Sequence, residues 1–232
     1  MKFNYKLKEG FFIKRPNRFL TLVKLGNKVV ESHLPDPGRL KELLIPGTKV
    51  LLKDENGKHR KTKYSTQAVF YKEKIISLNT LLPNQYVEYL INNKKLDFLY
   101  NWKIYKREVN CDKHRFDFQL EKNGKLMYLE VKSVTLVEKN IAKFPDSVTT
   151  RGANHVKYLG DLAAKGFMSM VIFVIQRHDS IVFQPNWERD YKFSQALLQA
   201  SNKGLSIRAI HSKLTKDRIH FSGEIPIEMS SK

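Results

Sequence analysis

The stretch Arg115-Phe116-Asp117-Phe118-Gln119-Leu120, then Glu121 to Lys125, then Leu126-Met127-Tyr128-Leu129-Glu130-Val131-Lys132 decides how this chain is read. Asn123-Gly124 inside it is the strongest short hairpin signal, because a type I′ turn needs positive φ at both central residues. With those two residues as the loop, Leu120 is expected opposite Met127, Phe118 opposite Leu129 and Phe116 opposite Val131. These apolar pairs share one face, as the core side of a sheet should. On the other face Asp117 falls opposite Glu130, and Lys132, two residues on, points the same way. Like charges directly opposed cost stability. Two carboxylates that close share a proton unless a cation lies between them. Such an oxygen pair suits Mg²⁺ or Mn²⁺, which keep several waters and accept phosphate as a further ligand. Lys132 would orient the attacking water or neutralise charge developing on the phosphate. The competing reading is an exposed strand face with ordinary salt bridges, worth little each. Acid-x-Lys triplets also arise by chance in so lysine-rich a chain. A second one, Asp190-Tyr191-Lys192, lies at an expected helix start and has no opposed acid.

Downstream, Thr149 or Thr150 is placed to cap a helix carrying Val156, Leu159, Leu162 and Ala163 and ending at Lys165-Gly166. Arg151 and His155 are four apart on it and so share a face, a candidate phosphate contact. A capped helix with solvated polar residues explains them equally well. Around these elements helices and strands alternate: a helix over 84–92, the apolar strand Met168 to Ile175, a helix bearing Phe193, Ala196, Leu197 and Ala200, and a strand from Leu205 to Ile210. An apolar strand of that kind belongs in a sheet covered on both faces. The expectation for 79–232 is an α/β domain with a mixed sheet.

Residues 1–78 have a different grammar. Arg18 to Leu25 and Lys28 to Leu34 flank the hairpin signal Gly26-Asn27, and Pro35-Asp36-Pro37-Gly38 forces a turn. Leu40, Leu43 and Leu44 suggest one helical turn. Further strands are expected at Lys49 to Lys53, ending at Asn56-Gly57, at Gln67 to Tyr71 and at Lys74 to Leu78. Five or more short strands without a long helix suggest a small all-β barrel of OB type, ahead of the α/β domain.

The chain has 232 residues, 42 Lys and Arg, 23 Asp and Glu, and a formal charge of +19. Residues 1–78 hold 18 basic and 7 acidic residues, so the surplus is densest there. Such a charge predicts attraction to polyanions, nucleic acid first. Arg15, Arg18 and Arg39, with Phe11, Phe12 and Lys14, are candidates for a single-strand stacking groove. Lys61 and Lys63, in the run Lys58-His59-Arg60-Lys61-Thr62-Lys63, are candidate phosphate contacts. The single Cys111 excludes an intramolecular disulfide and a multi-thiolate zinc site. No apolar run approaches a membrane span and no signal-peptide core opens the chain, so a cytoplasmic protein without membrane attachment is expected. Phosphate-binding loops, dinucleotide fingerprints and nucleophile elbows are absent from the sequence. The oligomeric state is not readable, and a homodimer stays open.

Arg115-Phe116-Asp117-Phe118, Tyr128 to Leu136, and Phe144-Pro145-Asp146 with Thr149-Thr150-Arg151-Gly152 and His155 resemble the sugar fermentation stimulation protein family. Arg18-Phe19, His33 to Arg39, and Asn79-Thr80 with Pro83-Asn84 resemble it too, so the likeness runs from about residue 11 to 160. The resemblance implies an OB-fold followed by a restriction-endonuclease-like domain of the PD-(D/E)xK superfamily. Asp117 and Glu130 fall on its metal-binding acids and Lys132 on its catalytic lysine. Glu88 is similar in position to the superfamily's helix acid, and Glu108 is a further candidate ligand. Arg115, Arg151 and His155 would face nucleic acid. Phe116 stands where the superfamily's name has proline, which is not a ligand. The implied function is a Mg²⁺- or Mn²⁺-dependent nuclease on DNA, with RNA as a further substrate. A non-catalytic DNA-binding regulator linked to sugar metabolism is the alternative.

Overall fold

The computed structural model describes residues 1–55, 57 and 60–230. The Asn56 turn signal and the basic residues Lys58 and His59 lie outside the described residues. The chain divides into two compact units: 1–82 with 176–178 and 212–222, and 83–175 with 179–211 and 223–232.

In the first unit, β1 (Leu7–Asn17), β2 (Leu20–Leu25), β3 (Lys28–His33), β4 (Lys49–Asp54) and β5 (Tyr64–Tyr71) form a barrel. β1 pairs with both β2 and β4, β2 with β3, β4 with β5, and a parallel β3–β5 contact closes the ring. That strand order is the five-stranded OB topology. β6 (Lys74–Ser77) extends it as a hairpin on β5. β1 was not anticipated. It serves two neighbours in turn, is bulged after Phe12 and Lys14, and so lacks an alternating pattern. Gly10 lets β1 pass close to β2, because a Cβ there would lie 2.6 Å from Val23 Cγ1. The interior packs Phe12, Val23, Leu34, Val50, Leu52, Val69 and Ile76. Beside them Thr66 Oγ1 meets the buried hydroxyls of Thr21 and Ser32, each at 2.8 Å.

Residues 212–222 also belong to this unit. Leu214 pairs with Ile75, and Met1 and Ile219 exchange backbone hydrogen bonds of 2.7 and 2.9 Å. No local signal in the sequence could announce this return of the chain to strands laid down near its start.

In the second unit α1 (Leu82–Asn92) precedes an antiparallel meander of β7 (Lys103–Cys111), β8 (His114–Lys122) and β9 (Lys125–Val134). β10 (Val137–Glu138) and β11 (Ile141–Phe144) lead to α2 (Thr150–Ala164). β12 (Met168–Ile175) runs parallel to β9 and to the start of β14 (Ser206–Leu214), making the sheet mixed. β13 (Val182–Pro185) pairs with β11 and α3 (Tyr191–Asn202) packs beside α2; β15 (Ile219–Glu224), the last strand described, belongs mostly to the first unit. Val171, Phe173 and Ile175 of β12 pack with Val156 and Leu159 of α2 and Phe193 and Leu197 of α3. Gly160 sets the approach of the two helices: a Cβ there would lie 2.7 Å from Ala200 Cα and Cβ.

Thr149 caps α2, accepting the Gly152 N–H at 3.0 Å. Asp190 caps α3 through the Phe193 N–H and also accepts the Thr149 N–H at 2.7 Å, tying the two helix starts together. The second acid-x-Lys triplet is therefore a cap. Among the described residues no helix is long and apolar enough to cross a membrane.

Candidate active site

Asn123 and Gly124 have φ of 51° and 76°, as the expected turn requires. From Lys122↔Lys125 to Phe118↔Leu129 the β8–β9 register is the expected one. There the ladder ends, and the expected Asp117/Glu130 and Phe116/Val131 pairs are not part of it. Asp117 is the reason: its Oδ2 accepts the Val131 N–H at 2.7 Å, a side chain standing in for a ladder bond. Asp117 Oδ1 accepts from the Asn84 amide of α1 at 2.6 Å. The two carboxylates still feel each other's charge.

Glu130 is buried. Its Oε1 meets Lys132 Nζ at 2.5 Å and His155 Nδ1 at 2.8 Å, while its Oε2 has no hydrogen-bond partner among the described residues. Arg151 Nε donates to His155 Nε2 at 3.5 Å, which leaves Nδ1–H as the donor to Glu130. The two acids are tuned apart. Burial first, and then the Glu130 charge, pushes the Asp117 carboxyl from 3.8 up to about 6, against the hydrogen bond from Val131. Burial also works against the Glu130 charge, but His155 and Lys132 outweigh it and hold that carboxyl below its ordinary value. One acid thus stays ionised while its neighbour titrates near neutrality, the usual sign of paired acids with distinct tasks.

The structure brings Asp117, Glu130, Lys132, Arg151 and His155 together. It does not bring Glu88 and Glu108 into ion pairs or hydrogen bonds with them. Glu88 pairs with Arg107 at 3.1 Å and Glu108 with Arg115 at 3.0 Å. Among the described residues no group of three His, Cys, Asp or Glu is close enough to hold a metal by itself. A basic strand residue beside each of these two acids competes with the expected cluster.

Two basic candidates have different roles from those expected. Arg15 donates through Nη1 and Nη2 to the carbonyls of Gly38, Arg39, Arg18 and Asp36 at 2.6–3.1 Å, clamping the loop after β3. His155 is 5% exposed and held by Glu130, so it positions that acid and is not on the surface. Phe12 is likewise core, whereas Phe11 and Phe19 are exposed. Arg18, Arg39, Lys61, Lys63, Arg115 and Arg151 are all exposed, with Lys63 over the Tyr64 ring. Asn84 carries a role that the residue reading missed. The available signal was its place one helical turn before Glu88, on the same face of α1.

Against known proteins, residues 13–78 match the model described as the SfsA N-terminal OB domain, and residues 81–218 match the sugar fermentation stimulation protein RE domain. A sugar fermentation stimulation protein homolog of Clostridium botulinum strain Hall is 40% identical over 230 residues, 99% of this chain and 100% of that one. The homolog of Natranaerobius thermophilus is 38% identical over 223 residues, 94% of this chain and 93% of its own. Among solved structures, Pyrococcus furiosus SfsA in complex with Ca²⁺ superposes with a TM-score of 0.91 at 30% identity, covering 98% of each chain.

Proposed function

The chain belongs to the sugar fermentation stimulation protein family, and from that premise we propose that it is a divalent-metal-dependent nuclease. It hydrolyses phosphodiester bonds in DNA, and in RNA as a second substrate. Residues 1–78, joined by the returning segment 212–222, serve as the nucleic-acid-binding domain and the rest of 79–232 as the cutting domain. The observation that carries this reading is the pair Asp117 and Glu130, one acid poised near neutrality and the other ionised, with Lys132 and His155 on the same Glu130 oxygen.

The chemistry of the donors fits a hard cation. A buried carboxylate oxygen without a donor, such as Glu130 Oε2, is costly, and a Mg²⁺ or Mn²⁺ ion would satisfy it. Asp117 and Glu130 would hold the ion, which when bound supplies Lewis acidity toward the phosphate and a water of lowered pKa. The solved structure of the Pyrococcus relative with Ca²⁺ supports a divalent oxygen site. Lys132 fixes the orientation of Glu130 and holds a positive charge where the phosphate gains negative charge. His155 holds the same carboxylate from α2. Exposed Arg18, Arg39, Lys61, Lys63, Arg115 and Arg151 hold the polyanion backbone, chiefly through charge.

A second reading, a DNA-binding regulator that does not cut, is favoured by one observation. Glu88 and Glu108 are each engaged by arginine, and among the described residues no third ligand joins Asp117 and Glu130. Incubation of the protein and of Lys132→Ala with single- and double-stranded DNA and RNA, in Mg²⁺, Mn²⁺ or EDTA, separates the two. Metal-dependent cleavage lost in Lys132→Ala supports the nuclease. Binding without cleavage under every condition supports the regulator.

A further inference from the structure

One turn along α2 from Arg151 and His155, a concavity of about 430 Å³ opens between that helix and the two-residue β7–β8 turn. Its lining is Lys113 and His114 from the turn and Asn154, Lys157, Tyr158 and Asp161 from α2. The four helix residues fall at i, i+3, i+4 and i+7, so they form one continuous stripe. His114 stacks on Tyr158 with centroids 4.4 Å apart and meets His155 edge-on at 5.5 Å. His155 in turn holds Glu130, so the ring pair is one side chain away from the candidate catalytic carboxylates.

The charges in this groove are not balanced locally. Asp112, next to Lys113, accepts the Tyr158 hydroxyl, and Asp161 is paired with Lys203 just past α3. Lys113 and Lys157 are exposed and have no ion-pair partner among the described residues. Two unpaired amines beside a stacked aromatic pair and an exposed amide match a nucleotide unit: a planar base for the rings and a phosphate for the amines. Burial holds the His114 ring toward its neutral form, which suits stacking.

We propose that this groove is a nucleotide subsite, in which a base of the bound strand stacks on the His114–Tyr158 pair while Lys113 and Lys157 hold its adjoining backbone phosphate. The proposal rests on the nucleic-acid reading of the same site, but not on cleavage. It predicts a strand led along α2 from Arg151 toward Lys157.

The test is equilibrium binding in EDTA of a single-stranded oligonucleotide carrying 2-aminopurine, over a range of KCl. The double variant Lys113→Gln/Lys157→Gln is expected to bind more weakly, with a log–log salt slope shallower by about 0.7 for one lost single-strand phosphate contact. Lys113→Arg/Lys157→Arg is expected to restore both. His114→Leu is expected to lose at least about five-fold in affinity, together with the stacking quench of 2-aminopurine. Unchanged affinity and slope in the double glutamine variant would overturn the subsite. So would loss that arginine does not restore. Because binding is read without metal, absence of cleavage would sink the nuclease and leave the subsite standing.

Discussion

Replacing Asp117 with asparagine should stabilise the metal-free protein at neutral and mildly alkaline pH. The carboxyl is raised from 3.8 to about 6 by burial and by the Glu130 charge. An acid raised in the folded state contributes stability that is full below the unfolded pKa and is lost as pH rises through the folded one. A rise from 3.8 to about 6 corresponds to ~3 kcal/mol, withdrawn between about pH 4 and pH 7. In Asp117→Asn the side-chain oxygen would keep the Val131 N–H and no charge would be buried, while the new amide NH2 would meet the Asn84 oxygen once the Asn84 amide turns over. The asparagine variant should therefore gain on the native protein by ~3 kcal/mol between about pH 4 and pH 8, whatever constant packing difference separates them. Urea unfolding in EDTA, followed by tryptophan fluorescence, reads this in the right place, since Trp102 and Trp187 both lie in the second unit. A stability difference that stays flat across that pH range would refute the reasoning. Saturating Mn²⁺ should reverse the order, because the ion stabilises only the form that binds it.

Three other outcomes follow from the same structure. Mn²⁺ affinity should rise with pH through about 6 as Asp117 ionises, and an affinity that stays flat across that range would count against Asp117 as a ligand. Gly160→Ala would gain ~1 kcal/mol from helix propensity alone. The 2.7 Å approach to the Ala200 backbone should decide the sign instead, giving a net loss of ~1–3 kcal/mol and a lower urea midpoint. Arg15→Ala should cost ~2 kcal/mol in a denaturation experiment, and Arg15→Lys should not rescue it, because one ammonium cannot span carbonyls of four residues.

The hairpin and the side chains it gathers were legible because they depend on near neighbours. Asn123-Gly124 sets the turn, the turn sets the register, and the register puts Asp117, Glu130 and Lys132 within reach of one another. Thr149 and Asp190 were legible as helix starts for the same reason: a cap bonds to a backbone N–H three residues on. The length of β12 and the sites of α2 and α3 followed from apolar runs and periodicity. The end of the ladder at Phe118↔Leu129 was not legible, since it turns on whether the Asp117 side chain or a backbone carbonyl takes the Val131 N–H.

By itself the sequence determined a small all-β barrel followed by an α/β domain, a strong basic surplus, and the hairpin that carries two acids and a lysine; the β3–β5 closure that makes the barrel an OB-fold came with the tertiary structure. Tertiary structure alone decided which charges meet. Glu88 and Glu108 were candidates beside Glu130 until Arg107 and Arg115 engaged them, and His155 was a surface contact until α2 laid it against Glu130. Arg15 was one more basic residue until the loop after β3 folded over it. The physical reason is common to all of these. Turns, caps and periodicity are set by residues within a few positions, whereas the partner of a buried charge comes from wherever packing brings a counter-charge or hydrogen-bond donor.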